Sequence, residues 1–239
     1  GCDGCESLGE GLRKNMSASV NFVKKVSEEI PGIILENCSS GGHKLEPLMM
    51  SLCSMASFSD AHECEEIPVI AANLHRAILP RQSQIWAVIR KTDSLKRIAY
   101  SIANTFLGRM CLSGDVTELT KEQWDIIDNG IAFYKKIAPI IKEGYTYRFG
   151  PKITSERHLK GWQGVVRTGK NGGAYALVHV FHEEFPEVIE IELPEGCATV
   201  VADQYSDSFV DVKVEDGVLK LVVTEEMKAV AVLLEETNI

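Results

Sequence analysis

Up to residue 144 the sequence alternates short apolar runs with longer segments of helical periodicity, and beyond it that periodicity stops. Val20, Phe22, Val23 and Val26, interleaved with Lys and Glu, predict an amphipathic helix over residues 17–29, stopped by Pro31 and Gly32. The run 33–35 then reads as a buried strand ending at Glu36, Asn37 and Cys38. Runs 55–58, 84–89 and 109–112 read as further strands, with helices over 47–53, 67–79, 94–107 and 120–142; Pro68 opens the second of these and Pro80 closes it. Strands separated by helices return to the same side of a sheet, so the pattern implies βαβ units and a parallel sheet. The strand runs are apolar throughout, as when both sheet faces are covered. A (β/α)8 barrel takes about 250 residues, so four strands in about 140 residues amount to half of one. A small doubly wound sheet is the alternative, but no Gly-x-Gly-x-x-Gly turn follows the first strand.

After Gly144 come short β-rich runs at 146–149, 164–167, 174–181, 188–193, 199–202, 209–214, 218–223 and 229–234. Turn residues separate them, among them Pro194-Glu195-Gly196 and Glu215-Asp216-Gly217. This spacing predicts an antiparallel β-sandwich of about 95 residues. The expected fold class is therefore α/β plus all-β: a partial (β/α)8 barrel, the C-terminal half, over residues 1–144, followed by an antiparallel β-sandwich over 145–239. No low-complexity linker separates the two, so they should pack together.

A net charge of −9 over 239 residues argues against nucleic acid or an anionic membrane surface as a partner, because phosphate binding needs clustered cations. No apolar stretch is long enough to span a membrane, and the start lacks the form of a signal peptide. The seven cysteines are an odd number, and Cys53, Cys64 and Cys111 sit in apolar or helical surroundings; this reads as a reducing cytoplasm. Cys2 and Cys5 have the spacing of half a zinc site, but no second such pair follows, and His62-Glu63-Cys64 is the nearest cluster; no metal is expected. The chain starts without Met, which suggests that it begins partway through a longer protein.

In a β/α barrel the chemistry lies at the carboxyl ends of the strands, here residues 36–42, 59–63, Arg90 and 113–115. Retaining glycoside cleavage needs one carboxylic acid to protonate the leaving oxygen and a second carboxylate about 5–5.5 Å away to attack the anomeric carbon. Asp60 stands where the first belongs. Cys38-Ser39-Ser40-Gly41-Gly42, with Ser59-Asp60 about twenty positions later, resembles the active-site signature of glycoside hydrolase family 36, the α-galactosidases. There a Cys-Ser-(Ser/Gly)-Gly-Gly turn follows the fifth barrel strand and a Ser-Asp pair ends the sixth. The likeness runs on through residues 8–16, 106–119 and the helix to Lys142, and the predicted sandwich agrees with the family's last domain.

The resemblance implies that Asp60 is the general acid/base, and that Cys38 and the Gly41 backbone, with Ser39 and Gly42, contact the galactose ring. Glycines 41 and 42 lack Cβ, which would let a sugar reach main-chain N–H groups. Partial burial of Asp60 beside an ionised nucleophile would favour its protonated form. The family's nucleophile, an Asp in a Lys-x-Asp context at the end of the fourth strand, has no counterpart; Asp3 lies in a loop-like Cys-Asp-Gly setting and is not nominated. The nucleophile should therefore lie before Gly1. Glu63 stands where the family often has a second Asp, and Glu63, Arg90 and Asp115 are candidate rim residues, with Asp115 more readily a cap for the next helix. His43 and His62 read as supporting residues, and Trp86 as core.

The function these features imply is retaining hydrolysis of terminal α-D-galactosides such as melibiose and raffinose, with no cofactor. This segment supplies the acid but lacks the nucleophile and is inactive alone. Its partners would be the α-galactoside oligosaccharide and the N-terminal part of the same enzyme, in a homo-oligomer. The rival reading is a non-catalytic sugar-binding or scaffold module of the same fold.

Overall fold

The computed structural model describes residues 5–58, 60, 64–154 and 157–236. Helix α1 (Glu10–Glu29) carries its apolar side chains at helical spacing, yet none of its residues is buried. It starts seven residues earlier than the sequence pattern predicts. The run 33–35, read as a buried strand, forms none: Ile34 is 66% exposed, and pairing begins where the Leu35 carbonyl accepts the Ser54 N–H at 2.8 Å. Strand β1 (Glu36–Asn37) is consequently short.

The chain continues through α2 (Pro47–Leu52), β2 (Met55–Ser57), α3 (Ile67–Leu74), β3 (Ser83–Ile89), α4 (Leu95–Asn104), β4 (Arg109–Gly114) and α5 (Lys121–Glu143). Helix α3 stops five residues before its predicted end. Strands β1 to β4 form one sheet in that order, and every pair is parallel. Helix α5 starts on a capping box: Thr120 Oγ1 accepts the Gln123 N–H and Gln123 Oε1 accepts the Thr120 N–H. The Gln123 side-chain amide also donates to the Lys91 and Asp93 carbonyls, which fastens the helix start to the end of β3. Asp115, read as the cap, is not at the helix.

Burial along β3 alternates. Ser83, Ile85, Ala87 and Ile89 are buried, while Gln84, Trp86 and Val88 are only partly so. The buried face joins Ile98 and Ile102 of α4 and Ile127, Phe133 and Ile137 of α5 in one apolar cluster. The expectation that both faces are fully covered fails here, because Gln84, Trp86 and Val88 on the second face are only partly buried. Trp86, read as core, stands on that second face and donates its indole N–H to Ser57 Oγ at 3.2 Å.

Beyond α5 the strands are antiparallel. Strands β5 (Tyr145–Phe149), β6 (Trp162–Thr168), β7 (Ala174–Val180), β9 (Val200–Tyr205) and β12 (Lys228–Glu235) form a five-stranded sheet in the order β5-β6-β7-β12-β9. Strands β8 (Val188–Glu192), β10 (Val212–Glu215) and β11 (Val218–Val222) form a second, in the order β10-β11-β8. Every residue of β7 is buried because its sheet is sandwiched. Ala176 and Val178 share an apolar cluster with Ile189, Ile191, Leu219 and Leu221 of the smaller sheet, whereas Tyr175 and Leu177 join the cluster built around α4 and α5. The outer sheet shows the one-sided pattern of a solvated face, exposed and buried residues alternating along β8.

Arg167 on β6 fastens the five-stranded sheet to the helical layer. It is fully buried with no carboxylate partner among the described residues; its guanidinium donates to Thr146 Oγ1, the Tyr175 hydroxyl, the Phe106 and Leu107 carbonyls and the His75 ring. Burial, with Arg167 adjacent, pushes His75 down to about 3, so its ring is neutral and can accept from the guanidinium.

Candidate functional site

Because β1 to β4 run parallel, the residues that follow them all gather at one edge of the sheet: Cys38 after β1, Phe58 and Asp60 after β2, Arg90 after β3 and Asp115 after β4. Asn37 shapes the first loop. Its buried side chain donates to the Lys44 carbonyl at 2.7 Å and touches Met50 Sδ, closing the turn from beneath. Within the turn His43 N–H donates to the Ser39 carbonyl at 3.1 Å, and Ser40, Gly41 and Gly42 all have positive φ. A Cβ at Gly42 would lie 2.8 Å from the Phe58 carbonyl oxygen. The glycine turn therefore packs directly on the chain two residues before Asp60, and the two sequence motifs meet.

Cys38 and Asp60 are exposed, and Ser39, Gly41 and Gly42 partly so. The partial burial expected of Asp60 is absent. The partly buried face of β3 adds Gln84, which the sequence reading passed over, beside Trp86; the neighbouring strands bring Ser57, which is buried, and Cys111, whose thiol is pushed up by burial. Their signal was available as polar residues alternating through apolar runs. Arg90 and Asp115 make a link between strand ends: an Arg90 Nη1–Asp115 Oδ1 contact of 3.8 Å, with Asp115 Oδ2 accepting the Lys91 N–H at 3.3 Å. His43 is exposed. Ser59, His62 and Glu63 lie outside the described residues, as does Cys2.

The segment after Asp60 is tied to the antiparallel sheets. Asn104 donates to the Cys64 carbonyl at 2.7 Å, Gln163 to the Pro68 carbonyl at 3.0 Å, and His182 lies 3.6 Å from Glu65 and 3.1 Å from Glu226. Hydrogen bonding to Glu226 and Glu65 raises the His182 pKa. No group of three or more metal-ligating side chains occurs among the described residues, and none of the described helices is long and apolar enough to cross a membrane.

No family model matches the sequence. The fold has solved counterparts: a family 36 α-galactosidase of Geobacillus stearothermophilus bound to 1-deoxygalactonojirimycin superposes with a TM-score of 0.68 over 90% of this chain, at 17% identity. The fold is that of one segment of a family 36 α-galactosidase. A second structure of that organism's α-galactosidase, in complex with raffinose, gives a TM-score of 0.65 at 16% identity over the same share of the chain. In sequence the chain is 23% identical over 163 residues to α-galactosidase 1 of Pediococcus pentosaceus, a match to 64% of this chain. The chain spans only 21% of that relative and 30% of the solved α-galactosidase chains.

Proposed function

We propose that this chain is the C-terminal segment of a retaining α-galactosidase, with residues 1–144 forming the second half of a (β/α)8 barrel and residues 145–239 a β-sandwich. The observation that carries this reading is the contact of Gly42 with the Phe58 carbonyl, which joins the Cys38–Gly42 turn to the strand end bearing Asp60 at the carboxyl edge of a parallel sheet. In this reading the turn contacts the galactose ring. Asp60 gives its proton to the glycosidic oxygen as the C–O bond breaks, while a carboxylate on a preceding barrel strand, outside these 239 residues, attacks the anomeric carbon. Asp60 then accepts a proton from the water that hydrolyses the galactosyl ester, restoring both groups. Each step moves a proton or a glycosyl group, so neither metal nor organic cofactor is required.

The substrates are terminal α-1,6-galactosides such as melibiose and raffinose, and the complete enzyme is a cytoplasmic homo-oligomer. Glu63, Arg90 and Asp115 belong to the rim, the last two through the link between their strand ends. The 239-residue chain incubated with 4-nitrophenyl α-galactoside should release no nitrophenolate above the buffer rate. Release that disappears in Asp60→Asn would overturn the assignment of the nucleophile to another part of the protein.

A further inference from the structure

Asp60 is exposed, so its placement depends on the described elements that precede and follow it in the chain. Upstream, β2 and the Gly42 contact hold Phe58. Downstream, among the described residues, the Cys64 carbonyl is held by Asn104 Nδ2. Both ends of the Asn104 amide are bonded: its Oδ1 lies 2.9 Å from His179 Nε2. Burial pushes His179 down to about 3, so the ring is neutral. Because Asn104 Oδ1 can only accept, His179 carries its hydrogen on Nε2. On the next strand Gln163 stands directly opposite His179 in the sheet register and faces the same helical layer. Its Nε2 donates to the Pro68 carbonyl in the first turn of α3, and its Oε1 accepts from Arg148 at 3.2 Å. Both side chains are buried, His179 completely.

We propose that the antiparallel sheets act as a jig for the acid/base, in which Gln163, Asn104 and His179 are positioning residues that hold the segment following Asp60; this rests on the role assigned to Asp60 above. The chemistry requires such a device. A general acid must sit within hydrogen-bonding reach of the leaving oxygen, and a displacement of about 1 Å can cost about a hundredfold in rate. Apolar residues at 163, 179 and 104 would fill the same volume, but they would not fix two particular carbonyls, at Cys64 and Pro68, relative to the sheet. Polar side chains in the middle of apolar strands and at the end of an apolar helix are costly unless bonded, and here the bonds converge on the stretch from Cys64 to Pro68.

Hydrogen exchange of the full 239-residue chain, followed by mass spectrometry, tests the jig without relying on activity. In Asn104→Leu and in the near-isosteric Gln163→Met, the α3 amides Ile70–Leu74 should exchange at least tenfold faster, while those of β3 and β11 stay within twofold of the parent. His179→Leu should likewise speed α3 exchange, whereas His179→Gln, which keeps a donor for Asn104, should hold α3 protection within threefold of the parent, a difference not expected if His179 only fills space. Unchanged α3 exchange in both Asn104→Leu and Gln163→Met, or acceleration spread equally over α3, β3 and β11, would overturn the proposal. Gln163→Met removes one hydrogen bond at nearly constant volume and serves should Asn104→Leu fail to fold. Asp60→Asn should leave the exchange pattern intact, so an error in the role of Asp60 would appear in activity assays and not in this one.

Discussion

A methyl group at position 42 would press on the Phe58 carbonyl oxygen from 2.8 Å, at a φ of 108° that side chains avoid. Gly42→Ala should therefore destabilise the chain by about 1–3 kcal/mol, read as a lower urea midpoint at unchanged m-value; a midpoint equal to the parent's would contradict this packing. The sequence pointed to the missing Cβ at Gly42 as room for a sugar; the structure adds that it makes room for the neighbouring strand end, a tertiary contact that no local pattern encodes. Asp115 shows the same limit. A strand-end Asp before a helix reads as a cap, but Thr120 and Gln123 supply that cap, and Asp115 bonds across to Lys91. Cys38 and Asp60 were singled out because their motif is specific as a pair, and the structure packs Gly42 of the first loop on Phe58, two residues before Asp60.

At the scale of elements, hydrophobic runs located β2, β3, β4 and α5 to within a residue or two, because burial on one face or both leaves the same apolar mark. They misplaced β1 at residues 33–35, where Ile33 and Ile34 stay exposed, and they could not show that one face of β3 is only partly buried. The antiparallel contribution to the Asp60 segment was also invisible, since Gln163 and His179 pair with Pro68 and Asn104 across 95 and 75 positions of sequence. The clasp of His182 with Glu226 and Glu65 gives this junction a pH dependence. Glu183, Glu184 and Lys160 stand close by, Lys160 bonding both glutamates. Because the folded pKa of His182 is raised above 6.5, the clasp contributes fully below that ordinary value and is lost as pH rises through the elevated one. The contribution is small, since the imidazole is 42% exposed and screened by salt. An NMR titration of His182 should give a midpoint above 6.5 that falls in Glu226→Gln; a midpoint at or below 6.5 in the parent would remove the clasp.

For the whole molecule, the exposed apolar surface has a physical consequence. Leu12, Met16 and Phe22 on α1 and Ile34 beyond it are all more than half exposed. Strands β1 and β4 end the parallel sheet with unpaired edges among the described residues, and the face bearing Trp86 is only partly buried. Such edges and faces drive association in water, so light scattering of the chain alone should show oligomers or aggregates; a monodisperse monomer would count against the half-barrel reading. The central claim concerns Asp60, and its most direct test uses the enzyme in which this chain is continuous with the strand bearing the nucleophile. Asp60→Asn should lower kcat/KM on raffinose by about 10²–10⁴-fold, the usual worth of a general acid, and by much less on a dinitrophenyl α-galactoside, whose leaving group needs no proton. Raffinose hydrolysis within twofold of the parent would show that Asp60 is not the acid.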